Sequence, residues 1–402
     1  MKRLIAYICV LLSTLGYVVY SYSQLDPNLV LSSFGPYWRF QEMMWQMGYH
    51  QRDLSAVYFT VIILFFFVGA WMAYTSLQEH EKWSLFFTVI VLMFVAHNAL
   101  SHDIFNYMFN ARMVVKYQAD PHVRVALDFP SDDWTRFMHN THTPAPYGYG
   151  WTALSLFPYV LGFHKFNPTY LAFKLFMVGG LLLLYRAILY LSKISDREKD
   201  FHYLKWLVLL NPLIIIELVG NLHNDAWMMM FALFAYGVVF SLRATDSTIK
   251  LAGKLLLATV FLLASISIKF VTVLLVPMLL CIAVSKLAKN VPRLLSYGMA
   301  YWPEISALLV FVPLFTERSQ QFHPWYLSWG LVFVPFMKKT WVRFAYLAFS
   351  ISSMLRYIPF LRLGEYTQEI LMQQKVITWV GGLVIFVLFS QVKKDWQLKH
   401  LK

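Results

Sequence analysis

Four polar features interrupt the apolar runs of this 402-residue chain where they could do chemistry. Asp103 directly follows an apolar run, in SHDIFNYMFNARMVVKYQADPH. His223, Asn224 and Asp225 stand together between two further runs. Lys269 is the only charged residue between Leu255 and Ile282, and His323 opens the string HisProTrpTyr with Trp325 and Tyr326. A carboxylate facing a groove can take a proton from a hydroxyl. A desolvated ammonium attracts an anion such as phosphate. Aromatic faces beside an imidazole suit a sugar ring or a lipid phosphate.

Each feature also has a plain structural explanation. SerHisAsp ahead of a periodic run is a good helix start, so Asp103 can be a cap. Asn224 or Asp225 can cap the next helix, although three polar side chains exceed what a cap needs. Lys269 can snorkel to an interface. Pro324 suits a helix start, and Trp325 and Tyr326 suit an interfacial belt. Asp128, Asp132, Asp133, His139 and His142 invite a metal reading, but their spacing matches no standard metal motif.

The elements that must position these groups are membrane helices. Apolar residues make up 59% of the chain and charged residues 14%, against roughly 45–50% and about 25% in soluble domains. Runs of the roughly 20 residues needed to span a bilayer recur. They fall near 1–21, 55–76, 83–100, 168–191, 204–220, 225–242, 252–267, 270–286, 303–316, 324–337, 341–356 and 374–391. The first resembles a secretory signal but has no small-residue cleavage site, so it reads as an uncleaved span. Residues 150–163 are apolar but too short to cross.

Charge orients the spans. Lys2 and Arg3, the segment with Lys193, Arg197, Lys199 and Lys205, and the segments around Lys250, Lys286, Lys338 and Lys394 are all basic. The positive-inside rule puts them on the cytoplasmic side. They can share it only if 150–163 lies along the surface as an interfacial helix. The sequence thus predicts an all-α protein of about twelve spans with both termini cytoplasmic. The polar loops 101–149, 220–225, 268–270, 316–326 and 357–372 then open on one outer face. The whole chain, 1–402, reads as one transmembrane domain. The net charge of +13 belongs to those basic loops, and no nucleic-acid-binding motif is visible. Cys9 and Cys281 read as buried small hydrophobes rather than a disulfide framework.

The motifs together resemble the polytopic GT-C glycosyltransferases, and especially the mannosyltransferases that use a polyprenol-phosphate mannose. The stretch from Ser101 to His122 resembles their first outer loop: an aspartate, aromatics and a helix, then AspPro. His122 replaces the tyrosine usual after that pair. TyrGlyTyrGlyTrp at 147–151 is similar to their tyrosine-glycine-proline element, with Tyr149 in place of proline. AsnProLeu at 211–213 with HisAsnAsp at 223–225 resembles a motif pair of the α-1,6-mannosyltransferases. HisProTrpTyr at 323–326 is similar to a late segment of the family. Residues 1–82 contribute spans beyond the minimal module.

The resemblance implies an inverting transfer of one hexose, such as mannose, from a polyprenyl-phosphate donor to a glycan or lipid acceptor. It implies Asp103 as the general base of a catalytic outer loop, 101–163, at the outer face of the plasma membrane. His102, Tyr107, Arg112, His122, Tyr147, His223, Asn224, Asp225, Lys269, His323, Trp325 and Tyr326 are then expected to bind substrate. No metal ligand set and no obligatory cofactor are expected, although a divalent cation could accompany the phosphate. Two other classes share these features: a transporter or flippase of lipid-linked sugar, and a non-catalytic subunit of a glycan-assembly complex. Transporters tend to show paired repeats with broken helices at matching positions, and none is visible.

Overall fold

The computed structural model describes residues 1–402 apart from Asn28, Val30, 196–197, 317–320 and 401–402, and apart from the side chains of 198–200 and 392–400. Arg197, Lys402 and the side chains of Lys199, Lys393, Lys394 and Lys399, all counted above among the basic segments, lie outside the described residues.

Among the described residues the regular structure is helical, with no strand. Lipid offers the backbone no hydrogen-bond partner, and a helix satisfies its own. Among the described residues seven helices are long and apolar enough to cross a membrane: Lys2–Gln24, Arg52–Ser76, Phe166–Ile194, Thr248–Ile268, Phe270–Leu287, Thr340–Leu363 and Gln368–Gln391. Two bent pairs bring the number to nine if each pair is one span. One is Phe201–Leu209 with Pro212–Gly220, bent by 52°, and the other is Arg293–Ala300 with Trp302–Phe315, bent by 80°. Proline explains both breaks, because it lacks the N–H that would continue the preceding helix. Pro212 opens the second helix of its pair, and Pro303 is the second residue of Trp302–Phe311. The Asn211 side chain caps its helix by accepting from the Leu213 N–H at 3.0 Å.

Three of the apolar runs differ from expectation. The run at 83–100 is a 17-residue helix, Glu79–Val95, and that at 225–242 is a 16-residue helix, Asp225–Phe240. The run at 324–337 is three short pieces: Pro324–Tyr326, Leu327–Leu331 and Val334–Phe336. Residues 327–337 are all buried, so their apolar side chains pack against protein. Hydropathy does not separate that use from contact with lipid. Cys9 and Cys281 are free and only partly buried.

The chain forms two compact units. The first comprises Met1–Leu100, Leu204–Gly220 and Ser319–Lys402, and the second Ser101–Tyr203 and Asn221–Arg318. In the first unit Lys2–Ser21 packs along Arg52–Ser76, and Thr340–Leu355 packs on the C-terminal helix. The centre of the second unit is Asp225–Phe240, flanked by Phe166–Ile194 and Thr248–Ile268. Nearly every residue of the central helix is buried, as expected for a helix apolar on all sides. The Ser265 hydroxyl donates to the Met228 carbonyl at 2.8 Å. That bond fixes the C-terminal end of Thr248–Ile268 beside the start of the central helix.

Candidate functional site

Asp103 is the first residue of the helix Asp103–Tyr117, whose cap is His102, without a side-chain cap bond. The carboxylate is thus not the cap. It stands in the first turn, where the helix dipole favours a negative charge. The Ser101 hydroxyl accepts from the Asp103 N–H at 3.2 Å. Residues 104–111 of this helix are all buried, so its first turns are enclosed. The later turns, from Arg112 on, reach the surface.

HisAsnAsp supplies the second side of the site. Asn224 precedes the central helix without a side-chain cap bond, and Asp225 opens it. All three side chains are fully buried. His223 Nδ1 lies 3.5 Å from Asp103 Oδ2. Asp225 accepts from the Lys269 ammonium through both oxygens, at 2.8 and 2.9 Å. Lys269, alone in its apolar run by sequence, has this carboxylate as its partner.

Two glycines bring the third side in. A side chain at Gly148 would place its Cβ 2.1 Å from the Ser267 carbonyl oxygen, and one at Gly150 would fall 2.0 Å from the Ser267 hydroxyl. Without side chains the loop seats on the end of Thr248–Ile268. There the Gly148 N–H donates to the Ile268 carbonyl at 2.9 Å, satisfying one of the acceptors that a helix end leaves open. Tyr147, the residue before, is thereby placed against Asp103 and Lys269. Its hydroxyl acts on the Asp103 carboxylate, and its ring lies 5.9 Å from the Lys269 ammonium. Tyr107 packs edge-on against Tyr147 at 4.9 Å and against Trp151 at 5.0 Å.

The electrostatics follow from this enclosure. Burial alone would raise the Asp103 carboxyl. The nearby His223 imidazole, the Tyr147 hydroxyl and the Lys269 charge outweigh it, holding the carboxyl down to about 2 from 3.8. Burial, then the Asp103 charge, pushes the Tyr107 and Tyr147 hydroxyls well above their usual range. Asp103 is therefore ionised, and the two tyrosines keep their protons.

The remaining expected residues fall elsewhere. Arg112 donates to Asp132 at 2.6 Å and stacks over Trp134 at 4.2 Å. Asp132, 3% exposed, also accepts from the Tyr117 hydroxyl at 2.6 Å and the Lys116 ammonium at 3.1 Å. Burial would raise the Asp132 carboxyl, but these donors bring it to about 2. The acidic stretch that invited a metal is thus organised by basic residues, with Arg124 on Asp128 and Arg136 on Asp133 as well. Among the described residues no three His, Cys, Asp or Glu side chains gather as an ion site. His102 stacks on His139 at 3.7 Å. His122 Nε2 and the Thr152 hydroxyl are 2.9 Å apart, and its ring lies 3.9 Å from that of Tyr149. These three expected ligands brace the loop. The Asp132 hub was not legible by sequence, since its partners lie 15 to 20 residues away.

His323, Trp325 and Tyr326 belong to the first unit. His323 stacks flat on Trp325 at 4.3 Å, and Tyr326 packs on Trp329 at 4.5 Å. The same unit buries Glu217 completely, with the Tyr357 hydroxyl donating to it at 2.9 Å.

Comparison with known proteins adds one finding. The sequence model of the family described as alpha-(1->6)-mannopyranosyltransferase, N-terminal domain, matches residues 11–285. No curated protein and no solved structure matches the chain. The match covers the loop aspartate, the TyrGlyTyrGly turn, HisAsnAsp and Lys269. With seven apolar helices of spanning length, the chain is a membrane glycosyltransferase and belongs to the GT-C-type alpha-(1->6)-mannopyranosyltransferase family.

Proposed function

We propose that the protein transfers a mannosyl residue from a polyprenyl-phosphate donor, with inversion, to a hydroxyl of a glycan or lipid acceptor at the outer membrane face. One observation carries this reading: a carboxylate, Asp103, 3.5 Å from a buried imidazole and kept ionised with the help of a tyrosine hydroxyl and an ammonium. An α-linked product formed by inversion requires a β-linked donor. The acceptor oxygen attacks the anomeric carbon as the bond to the phosphate oxygen breaks. The acceptor proton passes to Asp103, and the lipid phosphate leaves with one more negative charge. Lys269, oriented by Asp225, and His223 face that charge. The carboxylate also stabilises an oxocarbenium-like transition state.

A carboxyl held near 2 is a weak base before substrate binds. An anionic donor beside it adds a like charge, which raises its proton affinity. Tyr107 and Asn224 hold the sugar, and His323, Trp325 and Tyr326 keep the substrate-binding role that the resemblance implies. His102, Arg112 and His122 shape the loop. The leaving group is a phosphomonoester, so no ion is obligatory, and turnover is expected to survive a chelator.

The whole chain works as one enzyme in the plasma membrane with both termini cytoplasmic. The basic segments support this orientation. The helices Asp103–Tyr117 and Tyr149–Leu161, of 15 and 13 residues, are short for a crossing and suit the outer interface. The test is transfer of radiolabelled mannose from polyprenyl-phosphate mannose by the purified protein. Transfer that Asp103→Asn abolishes supports the reading. A folded Asp103→Asn protein with near-normal turnover removes Asp103 as the base.

A further inference from the structure

Arg356 is a buried cation in the first unit, at the C-terminal cap of the helix Thr340–Leu355. It is 4% exposed, so it does not snorkel into water as an arginine near the end of a span can. Among the described residues no carboxylate lies within 4 Å of its guanidinium. The one hydrogen bond the guanidinium makes among them goes to the Thr378 hydroxyl, at 3.4 Å. A helix C-terminus favours a positive charge, but by less than burying that charge costs. An ionisable group at such a depth is a mark of binding or transport.

The surroundings complete a donor set. Thr378 stands in the π-helical turn Ile377–Gly381, a kind of bulge frequent at functional sites. Its hydroxyl donates to the Gln374 carbonyl at 2.8 Å, which leaves a lone pair for Arg356. Phe360, one turn after Arg356, stacks on Tyr366 at 4.4 Å. The Tyr366 phenol is thereby held within electrostatic reach of the guanidinium. Tyr366 is itself 61% exposed, so the cluster leads from a buried cation to the surface.

Position selects the anion. Arg356 stands seven residues before Leu363, the end of the span Thr340–Leu363, roughly 10 Å along a helix. A long side chain reaches headgroup depth from there. This is the end away from Lys338 and Lys339, the outer one in the orientation proposed above. The helices that hold the cluster expose Leu363, Val376 and Val380, so lipid lies alongside. The anions that lipid supplies at this depth are phosphates.

We infer that Arg356 and Tyr366 bind the phosphate of a membrane lipid, with Thr378 holding the guanidinium in place. The guanidinium fork takes two phosphate oxygens, and the Tyr366 hydroxyl donates to a third. All three residues lie beyond the stretch 11–285 that matches the family, and the inference does not depend on the donor reading. The lipid is either bulk phospholipid or the polyprenyl phosphate left by transfer.

The test uses the full-length protein in dodecyl maltoside, which carries no phosphate. Native mass spectrometry reads affinity for phosphatidylglycerol, for polyprenyl phosphate and for diacylglycerol, which lacks the phosphate. Arg356→Met is expected to bind a phosphorylated lipid roughly 10–100-fold more weakly, the loss of one charge-assisted contact, with diacylglycerol unchanged. Arg356→Lys keeps the charge without the fork and is expected to fall between. Loss confined to phosphatidylglycerol supports the site with phospholipid as its occupant, and loss confined to polyprenyl phosphate supports it with the substrate lipid. Unchanged affinity for both overturns the inference. So does an equal loss in Lys375→Gln, an exposed lysine nearby in sequence, because the effect is then general surface charge.

Thermal unfolding separates binding from architecture. Without lipid, Arg356→Met is expected to unfold at or above the wild-type temperature, because it removes a buried charge that has no counter-ion. Added phosphorylated lipid is expected to raise Tm in the wild type and much less in the variant. If the buried Glu217, bonded to the adjacent Tyr357, balances the guanidinium instead, Arg356→Met unfolds at a lower temperature without lipid or fails to fold. Either result makes Arg356 structural and overturns the inference.

Discussion

Lys269 and Asp225 form a two-point ion pair, at 2.8 and 2.9 Å, between residues 44 apart in sequence. Asp225 is fully buried and the Lys269 side chain is 14% exposed. Removing one partner strands the other charge, whereas removing both strands neither. Lys269→Met and Asp225→Leu are each expected to cost about 3–5 kcal/mol of stability, and the double variant much less than their sum. Thermal unfolding of the four proteins checks this. Mannosyl transfer is expected to be lost in all three variants, because the ammonium is absent or unoriented. A double variant that transfers normally would show the pair to be structural alone.

Asp103 makes a different prediction, in pH. Its carboxyl lies at about 2 when folded against an ordinary 3.8. The native state therefore gains stability from the ionised form. The gain is complete above about pH 4 and disappears as the pH falls through about 2. Asp103→Asn forgoes it, a difference of about 2 kcal/mol at neutral pH. The stability gap between the two proteins is expected to close on acidification, as measured by denaturant unfolding from pH 7 to pH 2. In transfer assays the same variant is expected to lose roughly 10²–10⁴ in kcat.

Gly148 tests how the loop is seated. A Cβ there would lie 2.1 Å from the Ser267 carbonyl oxygen, so Gly148→Ala must push the loop off the helix end. Tyr147 moves with it. A displacement of about 1 Å at a reacting centre is worth roughly a hundredfold in rate, and a loss of that size in kcat is expected. Tyr147→Phe leaves the loop seated and removes only the hydroxyl that acts on Asp103, so its loss is expected to be smaller. The opposite ranking would mean that the hydroxyl, not the seating, carries the effect.

Arg112 was expected to touch substrate, yet its guanidinium is held by Asp132 and Trp134. If it braces the loop, Arg112→Gln and Asp132→Asn share one energetic effect. Each is expected to lower stability, by about 3 kcal/mol for a largely buried pair. The double variant should be little worse than either single. Additive costs in a double-mutant cycle would separate the two residues and return Arg112 to the substrate.

The amino-acid sequence by itself determined the class of molecule. An apolar content that water cannot accommodate requires a bilayer, and a bilayer requires helices. It also marked Asp103, HisAsnAsp and Lys269, because polar groups in apolar runs stand out whatever their partners. Tertiary structure alone decided the partners. Lys269 looked solitary because its carboxylate is 44 residues away. Arg112 looked available because Asp132 is 20 residues away. The runs at 225–242 and 324–337 looked like spans because burial in protein and burial in lipid select the same side chains. Spacing along a chain records periodicity. Which charge meets which is set by the packing of helices, and here by two glycines that let one loop close on a helix end.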